Sequence, residues 1–421
     1  MAKALLERRE RAAARVQALD VPTFKGRPGW EFTDLSGLEL GSYRPAEGGA
    51  GNGTGDGTQA VPLPFGIAPA DSASWLEQRD ALSTPAHGQG LPDGVIVSTL
   101  EDAAAEHPEL VERYLGSVVS DEDDVFVARN EAGFIGGAFV YVPRNVVVKA
   151  PIVLTSVQTQ TGSELHRRTV IVLEEGAEAA VWEQYVSGAD DLDAVLNVVS
   201  ELVVGDAANL RYVCAQDLSE KSWIFGAQRA EVGRDAHLDW VALGFGSSGG
   251  HVRMETRLSG DGADARVTGA YATHARQHID FDTTQEHAAP HTTSDLAFRG
   301  VLQGRSSAVW KGNIIVDPGA QKTDAFQDSR NLLLSKRAHA DAIPGLEIQA
   351  NDVRCTHAAA VAQVDPEQLF YLRSHGLPEP DAKRLVIEGF LAALVERFEA
   401  GPVREVLGEA LERRLSYVLG G

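Results

Sequence analysis

Cys355 and His357 are the two side chains whose types and spacing point most directly to chemistry. They lie two positions apart in DVRCTHAAAV (352–361), and on a β-strand residues at i and i+2 project from the same face. A thiolate and an imidazole on one face can bind iron or another borderline metal together, or act as nucleophile and base. A buried structural cysteine beside a hydrogen-bonded histidine fits the same pattern. One such pair supplies too few ligands for an iron–sulfur cluster, so the remaining ligands would have to come from another chain, sulfide or a small thiol.

A second candidate is the histidine-rich stretch HARQHIDFDTTQEHAAPH (274–291), which contains His274, His278, His287 and His291. Its two H-x3-H pairs would each share one face of a helix or of a strand. Imidazoles with this spacing can bind a metal. The alternative is a polar ladder on a sheet face or at a subunit contact. Because no third ligand is fixed by the pattern, we favour the ladder.

Two glycine-rich segments match the residue patterns of enzyme motifs but lack the helix that those motifs require. GFGSSG (244–249) matches the dinucleotide fingerprint, and GSSGG (246–250) matches the hydrolase elbow. Both motifs require a following helix, whose N-terminal amides hold the phosphate or support the nucleophile turn. The residues that follow, HVRMETRLSG, alternate with the period of a strand, so we predict a flexible turn between strands. No G-x-x-x-x-G-K-[ST] motif is present, which excludes a P-loop ATPase.

Charge and composition narrow the functional classes further. The chain of 421 residues carries 38 basic and 60 acidic side chains, a formal charge of −22. So acidic a chain repels nucleic-acid phosphates and anionic membranes. The sequence shows no run of 18 apolar residues and no signal-peptide core at its start, which predicts neither a membrane span nor export. Two cysteines cannot form a disulfide framework, and we expect the reducing cytoplasm.

The region 1–136 reads as a mixed helical region. Residues 2–19 have the charge pattern of an amphipathic helix, and RPGWEFTDL (27–35) reads as a turn. Residues 45–62 lack large apolar side chains, which predicts a flexible loop. The acidic run at 121–124 is interpreted as a solvated turn rather than as a metal site.

From residue 137 to 364, short alternating apolar runs indicate β-strands. The turns between them recur at Ala177, Ala207, Ala236, Ala263 and Ala320, with steps of 30, 29, 27 and 57 (207 − 177, 236 − 207, 263 − 236 and 320 − 263). Each unit holds two strands and cannot bury both faces alone, so neighbouring units must stack. This regular period favours a β-solenoid over a meander of hairpins.

Residues 365–421 have helical periodicity and helix-start chemistry at Asp365-Pro366 and Pro380-Asp381. Segments 381–399 and 402–419 are amphipathic. Their apolar ridges can either pack on each other or dock a partner, and the sequence alone does not choose. The ridge residues are Leu385, Phe390, Leu394 and Phe398.

Several blocks of this sequence resemble the SufB/SufD family of iron–sulfur cluster assembly proteins. They are QHIDFDTTQEHAAPHTTSDLAFRGVL (277–302), SSAVWKGNIIVDPGAQKTDAFQDSRNLLLS (306–335), PGLEIQANDVRCTHAAAV (344–361) and LFYLRSHGLPEPDAKRLVIEGF (369–390). Together they lie within the C-terminal part of the chain, and GWEFTDL near the start resembles a short family element. Within the family, the chain is more similar to the SufD branch, because it lacks the extra N-terminal cysteines typical of SufB.

The resemblance implies a mostly β fold: a right-handed parallel β-helix core flanked by an N-terminal α/β region and a C-terminal helical module. It also implies a non-catalytic scaffold that pairs with a SufB-like subunit through the core. The C-terminal helices would bind a SufC-like ATPase, with Leu385, Phe390, Leu394 and Phe398 as candidate docking residues. Cys355 and His357 would be iron or cluster ligands at the SufB interface, with no cofactor held stably by this chain alone.

Two substitutions depart from the family pattern H-G-A-T after the cysteine. Ala358 stands where the family has glycine, which predicts a restricted backbone, and Ala360 replaces threonine, which removes a hydroxyl. The alternatives are a SufB-like scaffold that bears the cluster itself and, remotely, a carbohydrate-active β-solenoid enzyme. A homodimer in the absence of partners is a further expectation. No motif reports a flavin site.

Overall fold

The computed structural model describes residues 3–26, 29–47, 63–66, 69–84, 88–120, 123–398 and 401–419. Most of the predicted loop at 45–62, its residues 48–62, lies outside the described residues, as do positions 121 and 122 of the acidic run. Asp124 accepts hydrogen bonds from the amides of Phe126 and Val127 and so begins a helix. None of the described helices is long and apolar enough to span a membrane.

In the described residues, four α-helices precede the coils of the β-structure and three follow them. They are α1 (Lys3–Ala18), α2 (Leu100–Glu106), α3 (Pro108–Tyr114), α4 (Val125–Gly133), α5 (Pro366–Ser374), α6 (Glu379–Val395) and α7 (Pro402–Leu419). The predicted helix at 2–19 and the C-terminal helices are confirmed. Asp365 caps α5 by accepting a hydrogen bond from the Glu367 amide, as the Asp-Pro signal predicts.

The core is a parallel β-solenoid of eight coils, and each coil gives one strand to each of two sheets. The coil strands of the first sheet are β5 (Ala138–Val142), β7 (Ser163–Leu173), β9 (Ala194–Val204), β11 (Trp223–Val232), β13 (Gly249–Leu258), β15 (His278–His287), β17 (Ser307–Val316) and β19 (His339–Ile348). Those of the second sheet are β6 (Ile152–Gln158), β8 (Glu178–Ser187), β10 (Asn209–Asp217), β12 (His237–Gly244), β14 (Asp264–Thr273), β16 (Thr293–Leu302), β18 (Asp324–Leu333) and β20 (Arg354–Gln363).

Short strands of the N-terminal region extend both sheets. They are β1 (Arg44–Pro45), β2 (Ser74–Arg79), β3 (Leu82–Thr84) and β4 (Ile96–Ser98). The strand β2 pairs in parallel with β6, whereas β4 pairs antiparallel with β5. The sheets therefore begin before residue 137, although the coils begin there.

The register of the second sheet explains the sequence period. Asn209 pairs with Glu178 on one side and with His237 on the other, so the offsets between these coils are 209 − 178 = 31 and 237 − 209 = 28. In this register Ala208, not Ala207, is equivalent to Ala177. The second turn mark predicted from the sequence is therefore displaced by one position, because Ala208 is the buried alanine. The last mark, Ala320, is displaced by three positions, because Thr323 is the equivalent of Ala263.

Each of these turns places a residue with a left-handed backbone directly before the buried position. Glycine takes that place at Gly176 (φ 68°) and Gly262 (φ 73°), whereas Ala207 (φ 55°) and Lys322 (φ 64°) take it in other coils. The left-handed conformation is disfavoured for a residue with a Cβ atom. The turn geometry is thus imposed by coil stacking, even where the sequence provides no glycine.

Stacked apolar residues fill the solenoid, with Trp240, Trp310, Tyr212 and Tyr271 almost completely buried. Parallel strands buried on both faces read as continuous apolar runs, as VLNVVSELVV does. Each fully buried large apolar side chain contributes about 1.5–3 kcal/mol to stability. A coil therefore buries its interior side chains completely only where it has a neighbour on both sides.

The family-like GWEFTDL element closes the outer face of the first sheet. Trp30 lies 4.4 Å from the His251 ring and stacks on Phe126 at 5.2 Å between ring centroids. The Thr33 hydroxyl donates to Asp280 at 2.5 Å, and Asp280 lies 3.1 Å from His251. The Asp280 carboxylate raises the pKa of His251 against the opposing effect of burial. The predicted turn is thus an N-terminal strap, which the Trp30 ring and the Thr33 hydroxyl attach to a buried ion pair of the solenoid.

We predict that Ala207→Gly stabilises the protein, because glycine adopts φ 55° without steric cost. Relief of a left-handed alanine should raise the free energy of unfolding by about 1 kcal/mol, measured by thermal and denaturant unfolding. Ala208→Gly is the matched control and should destabilise the protein, because it removes a buried methyl group directly before β10. Equal effects of the two variants would contradict this account of the turn.

Candidate functional site

The last coil of the solenoid has two unpaired edges. β19 ends the first sheet and β20 ends the second, each with a neighbour on one side only. Unpaired edges present free amide and carbonyl groups that can pair with another chain. No helix or strand in the described part of the chain pairs with these edges.

At the open end, side chains on the interior face of the last two strands are exposed. Leu346 and Ile348 on β19 are 38% and 42% exposed, and Val361 on β20 is 43% exposed. In the preceding coil Ile314 and Val316, the equivalents of Leu346 and Ile348, are fully buried. A solenoid needs a cap or a partner at such an end, so this surface is suited to association.

Cys355 and His357 lie on β20 at this end, which agrees with the predicted strand. Cys355 pairs in register with Ala325 and His357 with Gln327, so both project from the face that is internal in earlier coils. Cys355 is half-buried against Ala325 and Val353, whereas the His357 ring is exposed. The two donors therefore lie on the interior face of the solenoid at its uncovered last coil.

Burial and the nearby Asp324 carboxylate both raise the pKa of the Cys355 thiol. Its reactive thiolate is therefore scarce at neutral pH, which counts against the alternative of an activated nucleophile with a base. Metal binding is still compatible with this thiol, since binding a metal releases the proton. In the described residues no three His, Cys, Asp or Glu side chains are placed to hold a metal ion.

The two departures from the family pattern have little effect on the backbone. Ala358 and Ala360 lie within regular strand, in register with Asp328 and Arg330. Ala358 is not among the residues with positive φ, and extended backbone accommodates any side chain. Alanine at position 358 is therefore compatible with the strand conformation. Ala360 removes a hydroxyl from a position that faces away from Cys355 and His357.

The histidine-rich stretch does not form one site. His278 and His287 begin and end β15, whereas His274 and His291 lie in the turns outside it, so neither H-x3-H pair shares a strand face. His287 is buried between the hydroxyls of Thr292 and Ser294, at 2.7 and 2.8 Å, and burial lowers its pKa to about 4. Each of the four histidines makes a hydrogen bond within the fold. This arrangement agrees better with the polar ladder than with a metal site.

The GFGSSG motif forms the turn between β12 and β13, and no helix follows it. The prediction that it is a flexible turn is only half right. Phe245 and Ser247 are buried, and a Cβ atom at Gly246 would lie 2.0 Å from the Leu218 carbonyl oxygen. Close backbone packing, rather than ligand binding, accounts for this glycine.

The four predicted docking residues do not form one exposed ridge. Leu394 and Phe398 are buried against the outer face of the second sheet, with Leu411 of α7. Phe390 is partly buried there, and only Leu385 is largely exposed. The chain's own packing thus accounts for Leu394 and Phe398.

A more exposed apolar pair was not singled out by the sequence analysis. Phe370 and Tyr371 on α5 are 75% and 63% exposed, and α5 has no buried residue. The signal in the sequence that could have identified this surface is the pair of adjacent aromatic residues in a predicted helix.

Comparison with known proteins places the chain in a family. A model described as "SUF system FeS cluster assembly, SufBD core domain" matches residues 156–390, and one for the SufBD N-terminal region matches residues 77–154. The chain belongs to the SufBD family of iron–sulfur cluster assembly proteins. The family match begins well before residue 277, where the C-terminal blocks that carry most of the resemblance begin. The strands between residues 137 and 277 contain no motif specific enough to be recognised in the sequence.

Individual SufBD proteins agree with this assignment. The chain is 36% identical to the iron–sulfur cluster assembly protein SufD of Bacillus subtilis over 345 residues, which cover 80% of this chain and 78% of that protein. It is 33% identical over 300 residues to a SufBD family protein of Mycobacterium tuberculosis, covering 69% and 74%. A SufBD family protein of Synechocystis is 26% identical over 97% of this chain and 91% of its own length.

We predict that thiol reagents modify Cys355 but not Cys214 in the folded protein. Cys214 lies inside the solenoid, where burial raises its pKa to about 12, whereas Cys355 is partly accessible. Mass spectrometry after maleimide treatment should show one adduct per chain, formed faster as the pH rises. Cys355→Ser should abolish native labelling and leave one adduct after denaturation. Native modification of Cys214 would contradict its placement.

Proposed function

We propose that this chain is a SufD-like, non-catalytic scaffold subunit of a cytoplasmic iron–sulfur cluster assembly complex. Its open solenoid end would pair with a SufB-like subunit, and its C-terminal helices would bind a SufC-like ATPase. The observation that carries the proposal is the open end itself, where exposed interior side chains surround Cys355 and His357.

Pairing at this end would satisfy two physical needs at once. A partner strand beside β19 or β20 would complete the unpaired hydrogen-bonding edge, and its coil would cover Leu346, Ile348 and Val361. An equivalent solenoid end is the partner surface that offers both. The same arrangement would place donors of the partner opposite Cys355 and His357.

Iron, or an iron–sulfur cluster, would be cargo at this junction and not a resident cofactor. Cys355 and His357 supply two donors, whereas a cluster takes four. The remaining ligands would come from the SufB-like subunit, sulfide or a small thiol. With Cys214 enclosed in the core, the chain has one accessible cysteine, which favours a shared site over the alternative of a SufB-like scaffold that bears the cluster alone.

The exposed aromatic pair on α5 supports a separate contact for the ATPase. Phe370 and Tyr371, with Leu385 on α6, present apolar surface that the solenoid does not use. Deleting residues 379–421 would not test this contact cleanly. It would also uncover buried core residues such as Val241 and Phe245 beneath α6 and α7. Point substitutions on α5 avoid that damage.

Co-expression with the SufB and SufC of the same organism tests the proposal. Size-exclusion chromatography with light scattering should give one SufB, two SufC and one copy of this chain. Val361→Lys should lose SufB and keep SufC, because a charge on the edge strand blocks pairing. The double variant Phe370→Ser and Tyr371→Ser should show the reverse, so each variant is the control for the other. Retention of both partners by both variants would refute the assigned surfaces.

His357→Ala should abolish cluster assembly in cells and leave the complex intact, because the exposed imidazole makes no contact that the fold requires. Complementation of a strain lacking the subunit measures assembly, and co-purification measures the complex. His339→Ala is the matched control, an exposed histidine on β19 that pairs with Asp341 at 3.1 Å, and it should complement fully. Full complementation by His357→Ala would remove this residue from the mechanism.

A further inference from the structure

A cavity of about 280 Å³ lies far from the open end, where α7 crosses the turns that follow β8 and β10. Along the second sheet it is separated from β20 by the strands β12 to β18. Its walls combine Arg413, Arg414 and Tyr417 of α7 with Asp190 and Asp217 of the solenoid. Nothing in the proposed scaffold role uses this cavity.

Arg414 is a charged side chain buried in the wall of this cavity, with 7% exposure. Its Nε donates to the Ala272 carbonyl at 3.0 Å, and Nη2 donates to Gln277 Oε1 at 3.0 Å. These bonds fix the guanidinium in place. The third nitrogen, Nη1, has no hydrogen bond within the described part of the chain, and its nearest carboxylate oxygen, Asp217 Oδ1, is 4.0 Å away. The two N–H groups of Nη1 thus have no hydrogen bond within the described residues, on a buried side chain that lines the cavity.

The opposite wall carries carboxylates. Asp217 ends β10, and burial raises the pKa of its carboxyl group. Asp190 and Glu220 line the same wall, and Glu220 Oε1 lies 3.1 Å from His274 Nδ1. Arg413 also lines the cavity, and its Nη2 donates to the Pro64 carbonyl. The cavity therefore has guanidinium groups, Arg413 and Arg414, on the side of α7 and the carboxylates of Asp190, Asp217 and Glu220 on the side of the solenoid turns.

We propose that this cavity binds a small zwitterion, a free α-amino acid, with its carboxylate on Arg414 and its ammonium group on Asp217 and Asp190. A ligand with both charges complements both walls, whereas an anion alone would face the carboxylates and a cation alone would face Arg414. A charged donor in a partly desolvated wall forms strong charge-assisted hydrogen bonds. The gap of 4.0 Å between Arg414 and Asp217 leaves their charges only partly compensated by each other.

Size and wall chemistry agree with this class of ligand. A volume of about 280 Å³ lies just below the range of cavities for drug-sized molecules, about 300–1,000 Å³. Leu218, Phe245 and the Tyr417 ring supply an apolar side for an amino-acid side chain. Tyr417 is held between the Arg414 guanidinium and the His274 ring, each 5.0 Å from its ring centroid.

Thermal unfolding of the full chain with each standard L-α-amino acid tests the proposal. At least one amino acid should raise the unfolding midpoint by selective binding to the folded state. Its N-acetyl derivative and its amide each lack one of the two charges and should give no shift. Absence of any shift across the amino acids would overturn the proposal. An equal shift with the N-acetyl derivative would also overturn it, because the site would then bind any carboxylate.

Asp217→Asn provides the decisive variant, because the structure gives its carboxylate no hydrogen bond that the fold needs. It should weaken binding of the amino acid found in the screen about tenfold or more, measured by calorimetry. Asp191→Asn is the matched control, an acidic residue of the preceding turn that is 83% exposed and does not line the cavity. It should bind like the unsubstituted chain. Unchanged affinity in Asp217→Asn would refute the assigned ammonium site. The assay needs no partner protein, so its outcome is independent of the scaffold proposal.

Discussion

The stacking of each coil on the next is the interaction on which the rest of the molecule depends. Parallel pairing satisfies the backbone of every internal strand, and the same stacking buries the aromatic and aliphatic interior. It also forces unfavourable local conformations, such as the left-handed backbone of Ala207 and Lys322. The cooperative gain from a stacked coil exceeds the roughly 1 kcal/mol that one such residue costs.

Stacking by itself does not define where a solenoid ends. In the described part of this molecule the first coil is followed outward by further strands in both sheets, whereas the last coil is not. At the first coil, β3 pairs antiparallel with β2, and β4 pairs antiparallel with β5. These short strands end the two sheets. At the last coil, the apolar interior of β19 and β20 is left exposed. This asymmetry leaves apolar side chains exposed at the last coil, which a partner placed there would bury. Cys355 and His357 lie on that end because β20 is the last strand, not because the residues around them form a pocket.

The outer faces of the two sheets have separate coverings, which leaves distinct surfaces for distinct contacts. The helices α1 to α4 and the Trp30 strap cover the first sheet, whereas α6 and α7 cover the second. Whereas α6 and α7 pack on the second sheet, α5 has no buried residue and is available for another contact. The amino-acid cavity arises at the seam between α7 and the solenoid turns, where the packing of two elements brings arginines and carboxylates together.

The sequence by itself determined the architecture of this protein. Regularly recurring turns and alternating apolar strands require stacked coils, and the Asp-Pro signal marks the start of the terminal helices. Specific blocks around Cys355 identified the family. What only the tertiary structure decided is which side chains remain accessible. Amphipathicity does not say whether Leu394 and Leu385 face the solenoid or solvent, and the H-x3-H spacing does not say that strand ends separate the pairs. Likewise, Arg414 and Asp217 are far apart in the sequence, and only the packing of α7 brings them to one cavity.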